Sequence, residues 1–527
     1  MSRRVQVAPA TLVDRFVGVF NPQAMIERIR ARTVLNALSG GYVGGKRGRK
    51  ATYNFNPDGG SADADTLPDL PALRARSRDL VRNVPIATGA IATNKTHVIG
   101  NGLKVKAACD YDLLGISEAA ARAWNKAADR EFGIACRSID FSDRQKFGPL
   151  QEMIFGSELE SGDVFILRRY RKRAGQVYGT KLQVIEADRI SNPHNRADDD
   201  KISGGVEFDK DGVPVAVHVA NRHPGGQYRG PTQWRRVPLR FNDGRRIVIH
   251  LASFQRPDQS RGIPYFAPVI ESLKSFGDYQ DAEVRAAVVS AMFTVFVTSS
   301  SEQDAGPLGA SESGSAGSDE EKLEMGSGAI VSLNSDEKVE IANPMRPNPG
   351  FDGFAQAFLR LVGVALEMPF ELLVKHFTSS YSASRAALEM AYHTFRKRRE
   401  RFAEDFCQEV RGWVIEEAIL TDRLDAQGFF DDPVTRDAWL RAEWTGPVRI
   451  SLDPLKDAKA DESDVRNLFK TRQQVMTERT GGEFDVKADQ AARESERMAG
   501  MGQTLEGETV EDEPLSGQDL KEDLDDA

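Results

Sequence analysis

The sequence predicts an α+β chain, and three observations carry that reading. Long stretches with apolar residues three or four apart flank a central region, Asp163 to Leu251, of short runs that alternate or stay apolar between turn residues. Of the 527 residues, 40% are hydrophobic and 28% are charged. This is ordinary globular usage, which excludes a fibrous or wholly disordered chain and suggests roughly three domains of common size. The charge sits at the ends. The net charge is −9, and Thr504–Ala527 alone holds ten acids and one lysine, so residues 1–503 sum to zero.

Taken in order, the first fifty residues carry ten basic and two acidic side chains. Such an arm suits nucleic acid or an acidic partner, or is a solvated extension. Residues 39–66 are rich in Gly, Asn, Asp and Ser and read as non-globular. Helical spacing follows over 74–98 and 117–132. From Asp163 the period shortens: DVFILRR and KLQVIEADRI read as strands. GVEFDKDGVPVAVHV reads as a hairpin whose Asp-Lys-Asp-Gly turn uses positive φ at Gly212, and RIVIHL reads as a buried strand. After Pro264, a first-turn proline, a long helix begins, with Val269, Leu273, Phe276, Val284 and Ala287 on its apolar side. Residues 299–328 form a Gly/Ser-rich insertion of net −6. A short strand AIVSL, a proline-rich turn and a helix from Phe351 to Glu367, stopped near Pro369, come next. A very long helix then runs from Ala383 to about Leu420 with Phe395, Phe402, Phe406, Val410 and Trp413 in one stripe, read as core or subunit interface. Polar helices over 456–500 precede an acidic tail whose composition predicts disorder.

Few residues suggest chemistry. Cys109, Cys136 and Cys407 form no CxxC pair, which argues against a disulfide framework or a zinc site and for reducing surroundings. Ala286 to Val297, the longest apolar stretch, has about twelve residues, too few to cross a bilayer. No apolar leader opens the chain, because Asp14 and Arg15 interrupt it, and a soluble protein is expected. Gly40 to Lys46 matches the GxxxxGK of a phosphate loop. Arg47 replaces the required hydroxyl, however, and no apolar strand precedes Gly40, so a basic glycine-rich linker is the better reading. His194, His218, His223 and His250 lack metal-ligand spacing and are read as structural. Asp198–Asp200 reads as a solvated loop. In FRKRRERF (Phe395–Phe402) the two aromatics face inward. The five basic residues are assigned to the outer face, pairing with Glu389, Glu400 and Asp405 in preference to phosphate. No catalytic constellation, cofactor or metal is predicted, and an assembly component is favoured over an enzyme.

Six segments in order resemble the lambda-type family of tailed-bacteriophage portal proteins. They are LRARSRDLVRNVPIATGAI (Leu73–Ile91) with the HVIGNGLKV turn, ESGDVFI (Glu160–Ile166), IEADRI (Ile185–Ile190), GVEFDKDGVPVAVHV (Gly205–Val219), FQRPDQSRGIPYFAPVIESLKSFGDYQDAEVRAA (Phe254–Ala287) and EMPFELLVKHFTSSYSASRAALE (Glu367–Glu389). The resemblance implies a portal fold that closes into a ring. Its parts would be a basic, partly flexible N-terminal arm (1–60), an α/β, hairpin-rich wing (61–262), a first stem helix (263–291) and a clip (292–346) containing the 299–328 insertion. A second stem helix (347–367), a tunnel loop (368–384), a long helix (385–421), a return to the wing (422–455), crown helices (456–503) and a disordered acidic tail (504–527) would follow.

Ring closure needs heterologous contacts, each subunit offering two different faces. The resemblance implies twelve subunits at a unique capsid vertex, forming a channel for packaging and ejection of double-stranded DNA, read without sequence preference. Implied partners are the large terminase, major capsid and scaffold proteins and a head–tail adaptor, with no membrane. The implied location is the virion, after assembly in the host cytoplasm. Candidate channel residues are Lys375, His376, Thr378, Ser379 and Ser380. The family-motif residues assigned structural roles are Arg74, Arg76, Arg78, Arg82, Asn83, Arg261, Gly262, Pro264, Asp281, Glu283, Tyr381, Ser382 and Arg385. The competing readings are a head-completion adaptor or minor capsid protein, and a DNA-packaging ATPase using Gly40–Lys46, for which Lys46→Ala would abolish ATP binding.

Overall fold

The computed structural model describes residues 10–38, 50–227, 230–291, 295–299, 337–341, 350–377, 380–448, 453–482 and 484–500. Gly40–Lys46, AIVSL, Thr378, Ser379, the tail and nearly all of the 299–328 insertion lie outside them. Two compact units divide the chain, Met1–Ser61 and Ala62–Ala527.

The first unit is more than a basic arm. Helices α1 (Leu12–Phe20) and α2 (Pro22–Leu38) pack on one another. Thr11 and Asp14 form a capping box at the start of α1, and the buried Asp14 carboxylate accepts from Arg28 Nε at 3.3 Å and Arg32 Nη2 at 2.8 Å. Two of the arm's basic residues therefore share one acid within it.

The second unit begins with α3 (Ala62–Thr66), whose Ala62 and Thr66 are buried, so the glycine-rich stretch ends earlier than composition suggested. Helices α4 (Leu70–Asn83) and α5 (Pro85–Val98) follow. Pro85 ends the first and opens the second, since a proline ring disfavours helix at the residue before it and has no N–H to leave unpaired at a first turn. Strand β1 (Lys104–Ala107) and helices α6 (Tyr111–Leu114), α7 (Glu118–Cys136) and α8 (Phe147–Ser161) come next. The strand region contains β2 (Asp163–Tyr170), β3 (Thr180–Glu186), β4 (Ile202–Ser203), β5 (Val206–Phe208), β6 (Pro214–Ala220), β7 (Trp234–Pro238) and β8 (Val248–Ala252). These form two antiparallel sheets, ordered β3-β2-β8 and β4-β5-β6-β7. The β5–β6 turn is the one expected: Asp209 Oδ1 accepts from the N–H groups of Asp211 and Val213, both at 2.9 Å, and Gly212 sits at φ +78°.

Beyond the sheets lie α9 (Ile270–Ala291), the β9 (Val295–Ser299)–β10 (Glu337–Ile341) pair and α10 (Phe351–Ala365). Helix α9 starts later than expected. Pro264 is buried ahead of it, and Ala267–Val269 form a 3₁₀ turn, so the proline shapes the approach and not the first turn. Residues 368–384 are not a plain loop, because they contain α11 (Phe370–Val374) and the opening of α12 (Tyr381–Phe402). The long helix has a break in its pitch: a π segment, Ala403–Gln408, separates α12 from α13 (Glu409–Leu420). Then come α14 (Pro433–Leu440), β11 (Ala442–Thr445), which pairs with β1, and helices α15 (Pro454–Arg466), α16 (Arg472–Thr480) and α17 (Phe484–Gly500).

Two cores result. The larger joins one face of β2 (Val164, Ile166) to α5, α8, α9 and α10 and to the α12–α13 stripe, whose Phe395, Phe402, Phe406, Val410 and Trp413 are all buried as the spacing predicted. The smaller lies between the two sheets and takes the opposite face of β2 (Phe165, Leu167).

Candidate functional site

Three of the family-motif segments meet at one buried acid. Asp163 opens β2 and has no solvent exposure. Its carboxylate accepts from Arg261 Nε at 2.6 Å and Nη2 at 3.1 Å, Arg74 Nη2 at 2.8 Å and the Gly262 N–H at 3.2 Å, and it lies 3.2 Å from His250 Nε2. Arg261 is itself buried, and gives its remaining donors to the carbonyls of Ala187, Ile190 and Gly204. Burial alone would raise the Asp163 pKa. The guanidinium groups of Arg261 and Arg74 and the His250 bond outweigh it, holding the carboxyl well below its usual range. Burial pushes Arg74 down to about 10, with repulsion from Arg261 behind it, and holds His250 below its usual value against the pull of Asp163.

The backbones of Gly162 and Gly262 touch at this point, and a Cβ on either would collide with the other's carbonyl; Gly162 also sits at φ +89°. Arg78, one turn beyond Arg74 on α4, donates to Ser161 Oγ at 2.9 Å, to Glu186 at 3.2 Å and to Asp188. Arg74, Arg78, Arg261 and Gly262 are thus one assembly that ties α4 to the start of β2 and the approach to α9. His250, read from the sequence as structural, lies against this acid, whereas Asp163 itself was not singled out. The signal for Asp163 was a lone acid opening an otherwise apolar strand, behind a glycine.

The other motif residues lie elsewhere. Arg76, Arg82 and Asn83 are on the exposed side of α4; Asn83 Nδ2 donates to Asp79 at 2.8 Å, and Arg82 lies 3.8 Å from the same acid. Asp281 and Glu283 lie on α9, Asp281 exposed and Glu283 half-buried. Tyr381 opens α12, Ser382 is exposed with its Oγ 3.4 Å from that of Ser380, and Arg385 donates to Asp457 of α15 at 3.2 Å.

Lys375, the C-cap of α11 at φ +56°, and His376 project into solvent. Ser380 caps α12, its Oγ accepting from the Ala383 N–H at 3.4 Å. These three occupy the turn between two helices, beside the exposed Phe377.

The basic run of α12 departs from the expected outer-face pairing. Arg396 does pair with Glu400, at 3.2 Å. Arg398 instead reaches Asn94 and Glu367 and lies 4.9 Å over the Tyr265 ring. Arg399 donates to the carbonyls of His97 and Val98 at 2.7 and 3.2 Å, and Arg401 to that of Ala252 at 2.9 Å and to Glu158. Long arginine stems cross the helix surface to unpaired carbonyls at the ends of α5 and β8.

Glu186, Asp188 and His223 present ligand atoms within 4.8 Å of one another. The guanidinium of Arg78 already lies on both carboxylates, so a protein cation occupies the place next to them. His218 likewise lies 3.1 Å from Glu207.

Helices α9 and α10 pair antiparallel through aromatic rings: Phe276 stacks on Phe358 at 5.2 Å, and Tyr279 meets Phe351 and Phe354 at 5.7 and 5.2 Å. The exposed surface of the pair carries large apolar side chains among charged ones. Leu361 and Val364 are 72% and 78% exposed, and Val284 and Val288 also face solvent.

Residues 48–399 match the model of the family described as phage portal protein, lambda family. Portal protein B of Escherichia phage lambda is 25% identical over 494 residues, covering 89% of this chain and 91% of that protein. The portal protein of Escherichia phage N15 is 25% identical over 496 residues, covering 89% and 92%. A solved chain from the neck of a native GTA particle, computed with C12 symmetry, is similar at 13% identity and a TM-score of 0.42, over 78% of this chain and 92% of that one.

Proposed function

Because the chain belongs to the lambda family of phage portal proteins, we propose that twelve copies close into a ring at one capsid vertex, forming the channel through which double-stranded DNA is packaged and ejected. The observation that carries this reading is the α9–α10 pair. A helix pair with aromatic rings inside and large apolar side chains outside is half of an interface. A head-to-tail ring supplies the other half, since each subunit then covers its neighbour. In this reading 61–262 is the wing, 263–291 and 347–367 the two stem helices, 292–346 the clip and 456–503 the crown. The turn at 368–384 lines the narrowest point of the channel. Lys375 and His376 there touch passing phosphates from solvent-exposed positions, which attracts DNA without holding it.

The chain's role is structural and not enzymatic: the motor is a separate terminase that docks at the clip, to be followed by the head–tail adaptor. Electron microscopy of the purified protein tests the reading. Two-dimensional averages are expected to show perforated rings near twelvefold symmetry. Compact particles without a central hole would return the adaptor and minor-capsid readings to the front.

A further inference from the structure

Side chains alternate across a strand, so every second residue of β2, β3, β6 and β7 faces the space between the two sheets. Those inward rows begin as hydrocarbon: Phe165 and Leu167, Ile185, Val217 and Val219, and Val237. Two residues further along, the same rows place Arg169, Gln183 and Arg235. With Arg189 they line an open cavity of about 330 Å³ walled by Phe141 and Trp234.

The arginines on the other face of these strands provide an internal control. Arg168 pairs with Glu416 at 3.0 Å and Arg236 with Glu207 at 2.8 Å. Among the described residues, no carboxylate lies within ion-pair distance of Arg169, Arg189 or Arg235. Arg169 rests over the Phe141 ring at 5.5 Å, and Arg189 donates Nε and Nη2 to the Ala220 carbonyl at 3.1 and 2.9 Å. Glu186, the acid whose field reaches Arg189, is engaged by Arg78 and lies 3.6 Å from His223. Burial, followed by repulsion from Arg169 and Arg189, holds the Arg235 pKa below its ordinary value. Arg169 and Arg189 are half-buried and Arg235 stands exposed at the rim, so three like charges converge on the cleft, two of them at strand positions where the period would place apolar residues. Like charges so placed repel one another, and an anion held between them relieves that repulsion.

We infer that this cleft binds a phosphate ester of the nucleotide type. Guanidinium forks match the oxygens of phosphate, three of them suit a multiply charged group better than a single carboxylate, and Trp234 and Phe141 offer flat apolar surface to the remainder of the ligand. The inference is independent of ring formation. The shared chemistry has two sources, a free nucleotide or the backbone of DNA.

The test is calorimetric titration of the full chain with ADP and, separately, with a twelve-base-pair duplex. Both are repeated on R169Q/R235Q, on R235K and on R236Q, with circular dichroism to verify folding. At least one ligand is expected to bind the wild type, to weaken tenfold or more in R169Q/R235Q and less in R235K, and to stay within twofold in R236Q. Loss of ADP binding alone identifies a free nucleotide as the source. Parallel loss for both ligands, with mutual competition, identifies the DNA backbone. Absence of ADP binding together with duplex binding indifferent to R169Q/R235Q overturns the inference, as does ADP binding that survives the double substitution.

Discussion

Asp163 is a charge with no solvent exposure that five donor groups surround, so its removal leaves two buried arginines without their anion. Breaking such a network from one side costs about 3–5 kcal/mol. Asp163→Ala is therefore expected to lower the unfolding free energy obtained from urea titration by that amount at pH 7. Arg261→Lys should recover little of a corresponding loss, because an ammonium cannot span the carboxylate and three carbonyls at once. The pH dependence follows from direction alone. The Asp163 carboxyl titrates lower in the folded chain than in the unfolded one. Its contribution is complete above the unfolded value of about 3.9 and is lost only as pH falls through the depressed value. His97, held low by burial and by Arg399 and Lys375, and His250, held low by burial, act at higher pH. The unfolded state takes up their protons first, so stability declines as pH falls below about 6.5. Melting temperatures measured from pH 7.5 to 5.5 should fall, with a shallower slope in His97→Gln.

At the scale of elements, the α12–α13 helix gives the sharpest prediction. Phe402 ends α12, is buried, and meets Phe155 and Phe406 at 5.7 and 5.2 Å. Truncating a buried phenylalanine costs about 3–5 kcal/mol. Phe402→Ala should show that loss in denaturant unfolding, whereas Arg396→Ala, on the exposed side of the same helix, should stay within about 0.5 kcal/mol. This helix also shows which features were legible in the sequence and which were not. The stripe from Phe395 to Trp413 could be read because burial imposes a period. The partners of Arg398, Arg399 and Arg401 could not, because they are carbonyls at the ends of other elements, which no local pattern marks. The hairpin at Asp209–Gly212 was readable from turn chemistry. The π segment was not, since the preference it satisfies is set by packing. The motif arginines of α4 were recognisable as a set. Only the fold separates Arg74 and Arg78, which reach Ser161 and its neighbours, from Arg76 and Arg82, which do not.

For the whole molecule, Leu361 and Val364 are exposed in the single subunit, so placing charges there should leave its fold intact and abolish its assembly. Leu361→Lys with Val364→Lys is expected to keep the circular dichroism spectrum and melting temperature of the wild type. Mass photometry should then find monomers where the proposed function expects the parent to form rings. A subunit that still closes its ring with both lysines would remove the α9–α10 face from the interface. The anchoring of α12 has a mechanical consequence. One end of this helix begins at the Lys375–Ser380 turn, and the other is fastened by Arg398, Arg399 and Arg401 to Asn94, to the carbonyls of His97 and Val98, and to that of Ala252. A tug on the turn is therefore carried along a stiff rod into the ends of α5 and β8.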